Sequence, residues 1–377
     1  MPSRPRMKPL VLRPPRTHVL RLGFIAVSDC APLLVARELG FFSKHQLDVK
    51  LSCEVGWGTI REKLVNREID AAHALAGLVL AMRLGINAAR CEVLTGCVLS
   101  LHGNAITLSH DLWRRGVRDA PALLKLVRST PQRLITLAVV SRVSSHYFLM
   151  RRWLSSAGID PERDVRLVVL PPSQMVASLE AGLIDGFCVG EPWNSAAIAK
   201  GVGWCAATSE EIHAKHPEKI LLTTAEFART REAEHLALIV ALGEACAFCD
   251  DPRKRPQVAE ILRASGFFNR ASDVLDRSLV GPFELGRGPA RAAGDFHIFH
   301  RHDANRPTVA RGRWLLEEFS SHVQSSHGGR TAAAELAAGW REDIYLNAIS
   351  QPTAGPAKPL QNHRIPTRNE HATLLAN

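Results

Sequence analysis

The sequence predicts an α/β protein with parallel sheets. Short runs rich in apolar and β-branched residues alternate with segments of helical spacing, beginning with strands at 19–26, 47–53 and 69–74. The pattern is clearest at 165–189, where a strand, a helix ended by Gly182 and a second strand follow one another. Such alternation is typical of parallel sheets covered by helices. Ligands of these sheets bind at the carboxyl ends of the strands.

The remaining elements follow from the same periodicities. The sequence predicts further strands at 93–99, 134–140, 204–207 and 220–224, and helices at 110–129, 228–250, 253–264 and 314–323. Residues 101–107 are interpreted as a polar break between elements, because Gly and Asn interrupt the apolar run there. The helix at 228–250 is apolar on most of its surface and is expected to be largely buried.

Composition limits the possible classes of protein. With 377 residues, 46% of them hydrophobic, the chain can form two domains with separate cores. The net charge of +10 suits anionic partners but does not indicate a nucleic-acid site. Basic residues concentrate at 1–18, which we interpret as a disordered, solvated arm rather than an RNA-binding one. The proline-rich polar tail at 351–377 is also expected to be disordered.

The start of the chain and its cysteines indicate a compartment. Arginines and prolines interrupt every candidate for the apolar run of about 7–15 residues that a signal peptide needs. No run of about 18 apolar residues predicts a membrane span. The eight cysteines lie mostly in apolar segments, as buried thiols do, rather than in a disulfide framework. We therefore expect a cytoplasmic protein.

Three polar side chains lie at predicted strand ends or helix starts. Trp57, between two glycines, either offers an indole N–H to a ligand or covers the sheet edge. His146 begins a predicted helix, where the dipole favours an anion, although many histidines there are ordinary helix-start residues. Lys219 precedes a strand and is either a ligand's counter-charge or a solvated lysine. If it is the counter-charge, its loss should weaken anion binding and leave the fold intact.

Nothing in the sequence indicates catalysis or a cofactor. The phosphate-binding, dinucleotide-binding, serine-hydrolase and zinc-protease motifs are absent. Cys246 and Cys249 have redox-motif spacing but lie in a helical pattern, which favours packing. The segment 297–302 holds three histidines, without the further ligands that a zinc site needs. We expect no enzyme activity, no metal and no cofactor.

Two motifs together carry a family resemblance. They are Pro171-Pro172-x-Gln174-Met175 and the nine residues 186–194, GFCVGEPWN. Shorter matches are Gly56-Trp57-Gly58-Thr59 and the segment 102–107. With these residues the chain resembles, from about residue 19 to 347, the nitrate/bicarbonate solute-binding proteins of ABC transporters. Without the resemblance, the same turns would pass as ordinary strand-to-helix connections.

The resemblance implies a fold and a site. The fold would be the two-lobed periplasmic-binding-protein-like fold of type II, with its ligand in the interlobe cleft. Lobe one would comprise 19–104 and 225–347, and lobe two 105–224. The implied ligand-binding residues are Trp57, Gly58, Asn104, His146, Pro172, Val189, Gly190, Glu191 and Lys219. Asn104 stands where a glutamine is expected in nitrate-binding members, which leaves the choice among nitrate, nitrite and bicarbonate open.

The resemblance and the compartment together suggest a role. A cytoplasmic member is similar to the nitrate/nitrite sensors of the NasS type, which hold an RNA-binding ANTAR-domain antiterminator inactive until the anion binds. The chain itself would not bind nucleic acid. The alternative is an uptake component of a nitrate/bicarbonate-type ABC transporter. A third possibility, an enzyme similar to the thiamin-pyrimidine synthases of the same fold, lacks their CCCFC motif here.

Overall fold

The computed structural model describes residues 19–268, 271–291, 294–322 and 331–350. The predicted basic arm and the predicted disordered tail lie outside these residues. The strands are β1 (Leu20–Phe24), β2 (Val49–Cys53), β3 (Ala71–Leu75), β4 (Val93–His102), β5 (Asn104–Ser109), β6 (Ile135–Val139), β7 (Val165–Val169), β8 (Gly186–Gly190), β9 (Gly203–Thr208), β10 (Pro217–Thr224) and β11 (His297–Ile298).

Helices connect and cover these strands. They are α1 (Ala31–Glu38), α2 (Phe41–Lys44), α3 (Trp57–Val65), α4 (Leu78–Leu84), α5 (His110–Arg114), α6 (Ala120–Ser129), α7 (Ser145–Ser156), α8 (Met175–Glu180), α9 (Trp193–Ala199), α10 (Ser209–Ile212), α11 (Ala225–Thr230), α12 (Glu232–Asp250), α13 (Arg255–Ala264), α14 (Leu275–Leu279), α15 (Val309–His322), α16 (Ala332–Gly339) and α17 (Glu342–Ser350). Short 3-10 turns lie at Ser28–Cys30, Pro172–Gln174 and Ser272–Val274.

The strands form two sheets, and each sheet is the centre of one lobe. Lobe one contains six strands in the order β11-β4-β10-β3-β1-β2, and lobe two contains five in the order β7-β6-β8-β5-β9. In each sheet an inner strand runs antiparallel to both of its neighbours: β10 between β3 and β4, and β5 between β8 and β9. The two-residue edge strand β11 of lobe one also pairs antiparallel with β4. Both β5 and β10 follow a crossover from the other lobe.

The crossovers place two site residues differently from the sequence analysis. The chain leaves lobe one at His102-Gly103, both with positive φ (61° and 88°), and enters lobe two with Asn104 on β5. It returns before β10, so Lys219 pairs with Leu75 inside the lobe-one sheet. The lobe boundaries predicted from the sequence put Asn104 in lobe one and Lys219 in lobe two. β5 and β10 each follow a crossover between the lobes, and each pairs with the sheet of the lobe that the chain enters. The remaining lobe boundaries stay predictions.

The local predictions were mostly confirmed, with two exceptions. The interpretation of 101–107 as a break was wrong, because β5 occupies 104–109 and is buried along its length. The single helix at 228–250 is divided at Arg231 into α11 and α12. As expected, α12 is buried, with Leu238 and Leu242 fully inaccessible.

The cysteines are all free thiols, and only that of residue 53 is exposed. Among the described residues, no helix is both long enough and apolar enough to cross a membrane.

Candidate functional site

Polar side chains from both lobes converge where the two sheets face each other. Lobe one contributes Asp29 from the turn after β1, Trp57 from the start of α3, His73 from β3, and Glu218 and Lys219 from β10. Lobe two contributes Asn104 from β5, and Ser145 and His146 from the start of α7. All eight residues are at least 96% buried. We call this group the interlobe cluster.

Lys219 carries the positive charge of the cluster. Its ammonium donates to Asp29 Oδ2 at 2.8 Å and to Glu218 Oε1 at 2.6 Å. It also lies 5.3 Å from the centroid of the Trp57 ring, within the range of a cation–π contact. Burial alone would lower the pKa of Lys219, but the two carboxylates outweigh burial and raise it. Lys219 is therefore charged and already paired with two acidic side chains.

Glu218 links the two lobes. Its Oε2 accepts from Asn104 Nδ2 at 2.6 Å and from the Ser145 hydroxyl, while Oε1 lies 3.7 Å from His146 Nε2. Burial opposes ionisation, but Lys219 and the neighbouring histidines lower the pKa of Glu218 to about 2. Asp29 behaves similarly: Lys219 and His73 overcome its burial and hold its pKa well below the usual range. Both carboxylates are ionised at neutral pH.

His146 is a neutral hydrogen-bonding group. It follows Ser145 in the first turn of α7, whose N-cap Ser144 accepts from the backbone of Tyr147. Burial lowers the pKa of His146 to about 4, despite the attraction of nearby Glu218. In this environment it is uncharged at neutral pH, because it is 1% exposed and its carboxylate neighbour is already paired with Lys219.

Several polar atoms of the cluster have no hydrogen-bond partner among the described residues. They include donors and acceptors from both lobes: Trp57 Nε1, His73 Nδ1, His146 Nδ1, Asn104 Oδ1 and Asp29 Oδ1. A buried polar group without a partner costs roughly 1–3 kcal/mol. A small ligand that offers both donors and acceptors, or several acceptors, would relieve part of that cost.

The end of β8 forms the other side of the interlobe contact. A Cβ added to Gly190 would lie 3.4 Å from Asn104 Oδ1, so a larger residue there would press on the cluster. The Glu191 carbonyl accepts from the Ser28 backbone of lobe one at 2.6 Å, and its N–H donates to Gly103 at 3.3 Å. The Val189 carbonyl accepts from Asn194 Nδ2 at 2.8 Å. The hydrogen bond between Ser28 and Glu191 therefore joins the two lobes beside the cluster.

Two predicted site residues lie apart from the interlobe cluster. Pro172 lines a neighbouring cleft of about 490 Å³, together with Trp193 of lobe two and Ile25, Glu54 and Phe268 of lobe one. Gly58 lies on the exposed side of α3, and a Cβ there would contact nothing within 4 Å. The structure thus brings Trp57, Asn104, His146 and Lys219 together with the end of β8, but not Gly58 or Pro172.

Comparisons with known proteins place the chain in a family. Residues 13–263, well over half of the chain, match the NMT1-like family. The chain belongs to that family. The nitrate/nitrite binding protein NrtA of Synechococcus elongatus is 32% identical over 81% of this chain and 71% of its own. The crystal structure of the periplasmic nitrate-binding protein NrtA from Synechocystis matches with a TM-score of 0.82 and 27% identity, covering 88% of both chains.

Other relatives of this NMT1-like protein are longer. The nitrate import ATP-binding protein NrtC of Synechocystis is 40% identical over 304 residues, which are 80% of this chain and 45% of that protein. The chain thus spans about half the length of such curated relatives. The comparisons confirm the predicted family, which is one of solute-binding proteins and not of enzymes, and they confirm the predicted two-lobed fold.

Sequence reasoning missed the acidic members of the interlobe cluster. Glu218 lies beside Lys219 in a segment that was recognised as a strand entrance, but only the lysine was chosen. Asp29, in the turn after the first strand, and His73, inside an apolar strand, were also not among the predicted site residues. One signal could have revealed them. Charged residues are almost never fully buried without partners, so a charged residue in an apolar segment is unusual. A charged residue in an apolar strand, as in β10, predicts another charge facing it.

Proposed function

We propose that this NMT1-like protein is a solute-binding component that takes a small inorganic oxyanion, nitrate or nitrite first, between its two lobes. The observation that carries the proposal is the interlobe cluster. It brings a charged lysine, an indole N–H and an imidazole together from two lobes in a water-excluded site. The relatives named for nitrate support the choice of anion. The predicted ligand bicarbonate is the next candidate.

The chemistry of the donors suits a planar oxyanion. Such an anion presents acceptor oxygens and needs several donors to offset the loss of its hydration. Trp57 Nε1 and His146 Nδ1 come from opposite lobes and have no partner among the described residues. An anion bound by both would join the lobes and favour the closed arrangement, through its higher affinity for that state.

Calorimetric titration of the purified chain with nitrate, nitrite and bicarbonate tests the proposal. Trp57→Phe should weaken binding of the preferred anion by about 10- to 150-fold, the cost of a lost hydrogen bond to a charged group. Trp204→Phe is the matched control. Trp204 is equally buried, with an unpaired Nε1, but it lies on β9 against Trp113. No binding of any of the three anions would refute the proposal, and equal losses in both variants would remove Trp57 from the site.

The cytoplasmic sensor role remains a separate proposal. It requires an ANTAR-domain partner that binds the chain without anion and leaves when nitrate or nitrite is added. Fractionation of cells and co-purification with and without anion distinguish it from an uptake role. A protein found outside the cytoplasm, or a complex unchanged by saturating anion, would leave the uptake component.

A further inference from the structure

The interlobe cluster contains more negative than positive charge. Asp29 and Glu218 are both ionised, and Lys219 is the cation that both contact. The other polar side chains on Lys219 and Glu218, those of Trp57, Asn104 and Ser145, are neutral. This part of the site therefore carries one net negative charge before any anion arrives. In a buried site, a second negative charge is strongly unfavourable.

The surrounding titratable groups do not neutralise the net negative charge of the cluster. Burial lowers the pKa of His146 to about 4, and those of His216 and His297, which also face the cluster, to about 3. The thiols of Cys30 and Cys188 are held protonated, because burial raises the pKa of each well above its usual value. Burial raises the pKa of Glu191 to about 7, but its carboxyl accepts from Ser195 at 3.3 Å instead of from Lys219.

His73 is placed to receive a positive charge. Its Nε2 lies 3.2 Å from Asp29 Oδ1, the carboxylate oxygen that Lys219 does not contact. Neither ring nitrogen of His73 makes a hydrogen bond among the described residues, so the 3.2 Å approach to Asp29 is not yet a formed hydrogen bond. The ring lies 6.2 Å from that of Trp57, on the side of the predicted anion donors. An imidazolium here would form a charge-assisted hydrogen bond with Asp29 and face the incoming anion.

We propose that the site binds its anion together with one proton, which His73 holds against Asp29. The inference rests on the proposed function, because it concerns how that site accepts a negative charge. No bond is made or broken except the N–H bond formed at His73, and solvent supplies the proton. By linkage, wherever one proton is taken up with the anion, affinity should fall about tenfold for each unit rise in pH.

The test measures proton uptake directly. Nitrate is titrated into the full chain by calorimetry, at one pH, in buffers of different ionisation enthalpy. The dependence of the observed enthalpy on the buffer gives the number of protons taken up with nitrate. That number should approach one for the wild type within the range of about pH 5–8. Affinity over the same range should rise toward low pH.

Variants then locate the proton. His73→Gln should bind nitrate more weakly, without proton uptake. His146→Gln and Glu191→Gln should keep the uptake, although His146→Gln also weakens binding. Glu218→Gln removes one negative charge and should bind nitrate without a proton, which provides a second test if His73→Gln does not fold. Uptake that persists in both His73→Gln and Glu218→Gln would overturn the inference.

The inference and the proposed function fail in different ways. Nitrate binding with no proton uptake in the wild type, and no change in affinity with pH, would overturn the inference alone. The absence of nitrate binding throughout the pH range would overturn the proposed choice of anion and the inference with it.

Discussion

Lys219→Met should destabilise the whole protein as well as weaken anion binding. The ammonium lies 2.8 Å from Asp29 and 2.6 Å from Glu218, and none of the three side chains is more than 1% exposed. At an effective dielectric constant of about 20, each contact corresponds to about 6 kcal/mol of attraction, most of which offsets the cost of burying the charges. Methionine keeps the apolar stem but leaves two buried carboxylates without a counter-charge.

The expected loss is about 3–5 kcal/mol in the free energy of unfolding at pH 7, the usual result of breaking a buried ion pair. This differs from the expectation, drawn from sequence, that the fold would be unaffected by losing Lys219. The measurement is urea denaturation followed by circular dichroism. The loss should shrink as pH falls below about 4. In the wild type, the stabilisation from the lowered pKa values of Asp29 and Glu218 is complete above the unfolded-state values and is lost as pH falls toward the folded-state values.

A double variant supplies the control. Adding Glu218→Gln to Lys219→Met removes one of the two uncompensated carboxylates and should recover a substantial part of the lost stability. The reasoning would be refuted if Lys219→Met unfolded within about 1 kcal/mol of the wild type at pH 7, which is the range of exposed ion pairs. It would also be refuted if the double variant were less stable than the single one.

Two further predictions concern lobe closure and acid stability. A Cβ on Gly77 of lobe one would lie 2.0 Å from the Val143 carbonyl of lobe two. Gly77→Ala should therefore weaken nitrate binding and hold the lobes apart, which small-angle scattering measures. Gly58→Ala is the control and should change neither property, because a Cβ there has nothing within 4 Å. Burial lowers the pKa of His297 to about 3, so the native state loses stability as pH falls below the unfolded value of about 6.5. His297→Phe should reduce the loss between pH 7 and 5 by about 2 kcal/mol in urea denaturation, and an unchanged loss would contradict this account.

Much of the fold followed from the sequence because local periodicity and burial agree. The strand at 165–169 and the helix that begins at Met175 have the apolar spacing of their elements, and the structure forms both. The strand β5 was missed because its polar residues suggested a loop. Thr107 donates to Asn194 at 2.8 Å, and Asn104 donates to Glu218, so both are satisfied inside the protein. Only long-range partners explain why such residues are buried.

In the candidate site, too, some residues could be predicted from the local sequence and others could not. Trp57 and His146 were identified because each begins a helix after a strand, a position that the local sequence reveals. The pairing of Lys219 with Asp29 joins residues 190 positions apart, and no local pattern indicates it. The lobe of Lys219 was also assigned wrongly, because a strand that follows a crossover belongs by sequence to one lobe and by pairing to the other.

The net charge of the whole chain favours an anion, whereas the charge of the buried cluster opposes one. The chain carries +10 overall, which favours the approach of an anion from solution. Exposed charges farther than about 8–10 Å from the ligand are largely screened at physiological ionic strength. The interlobe cluster is buried, and two carboxylates there outnumber one lysine. Surface basic residues should thus influence how fast an anion arrives, while the protonation of the buried cluster should determine how tightly it is held.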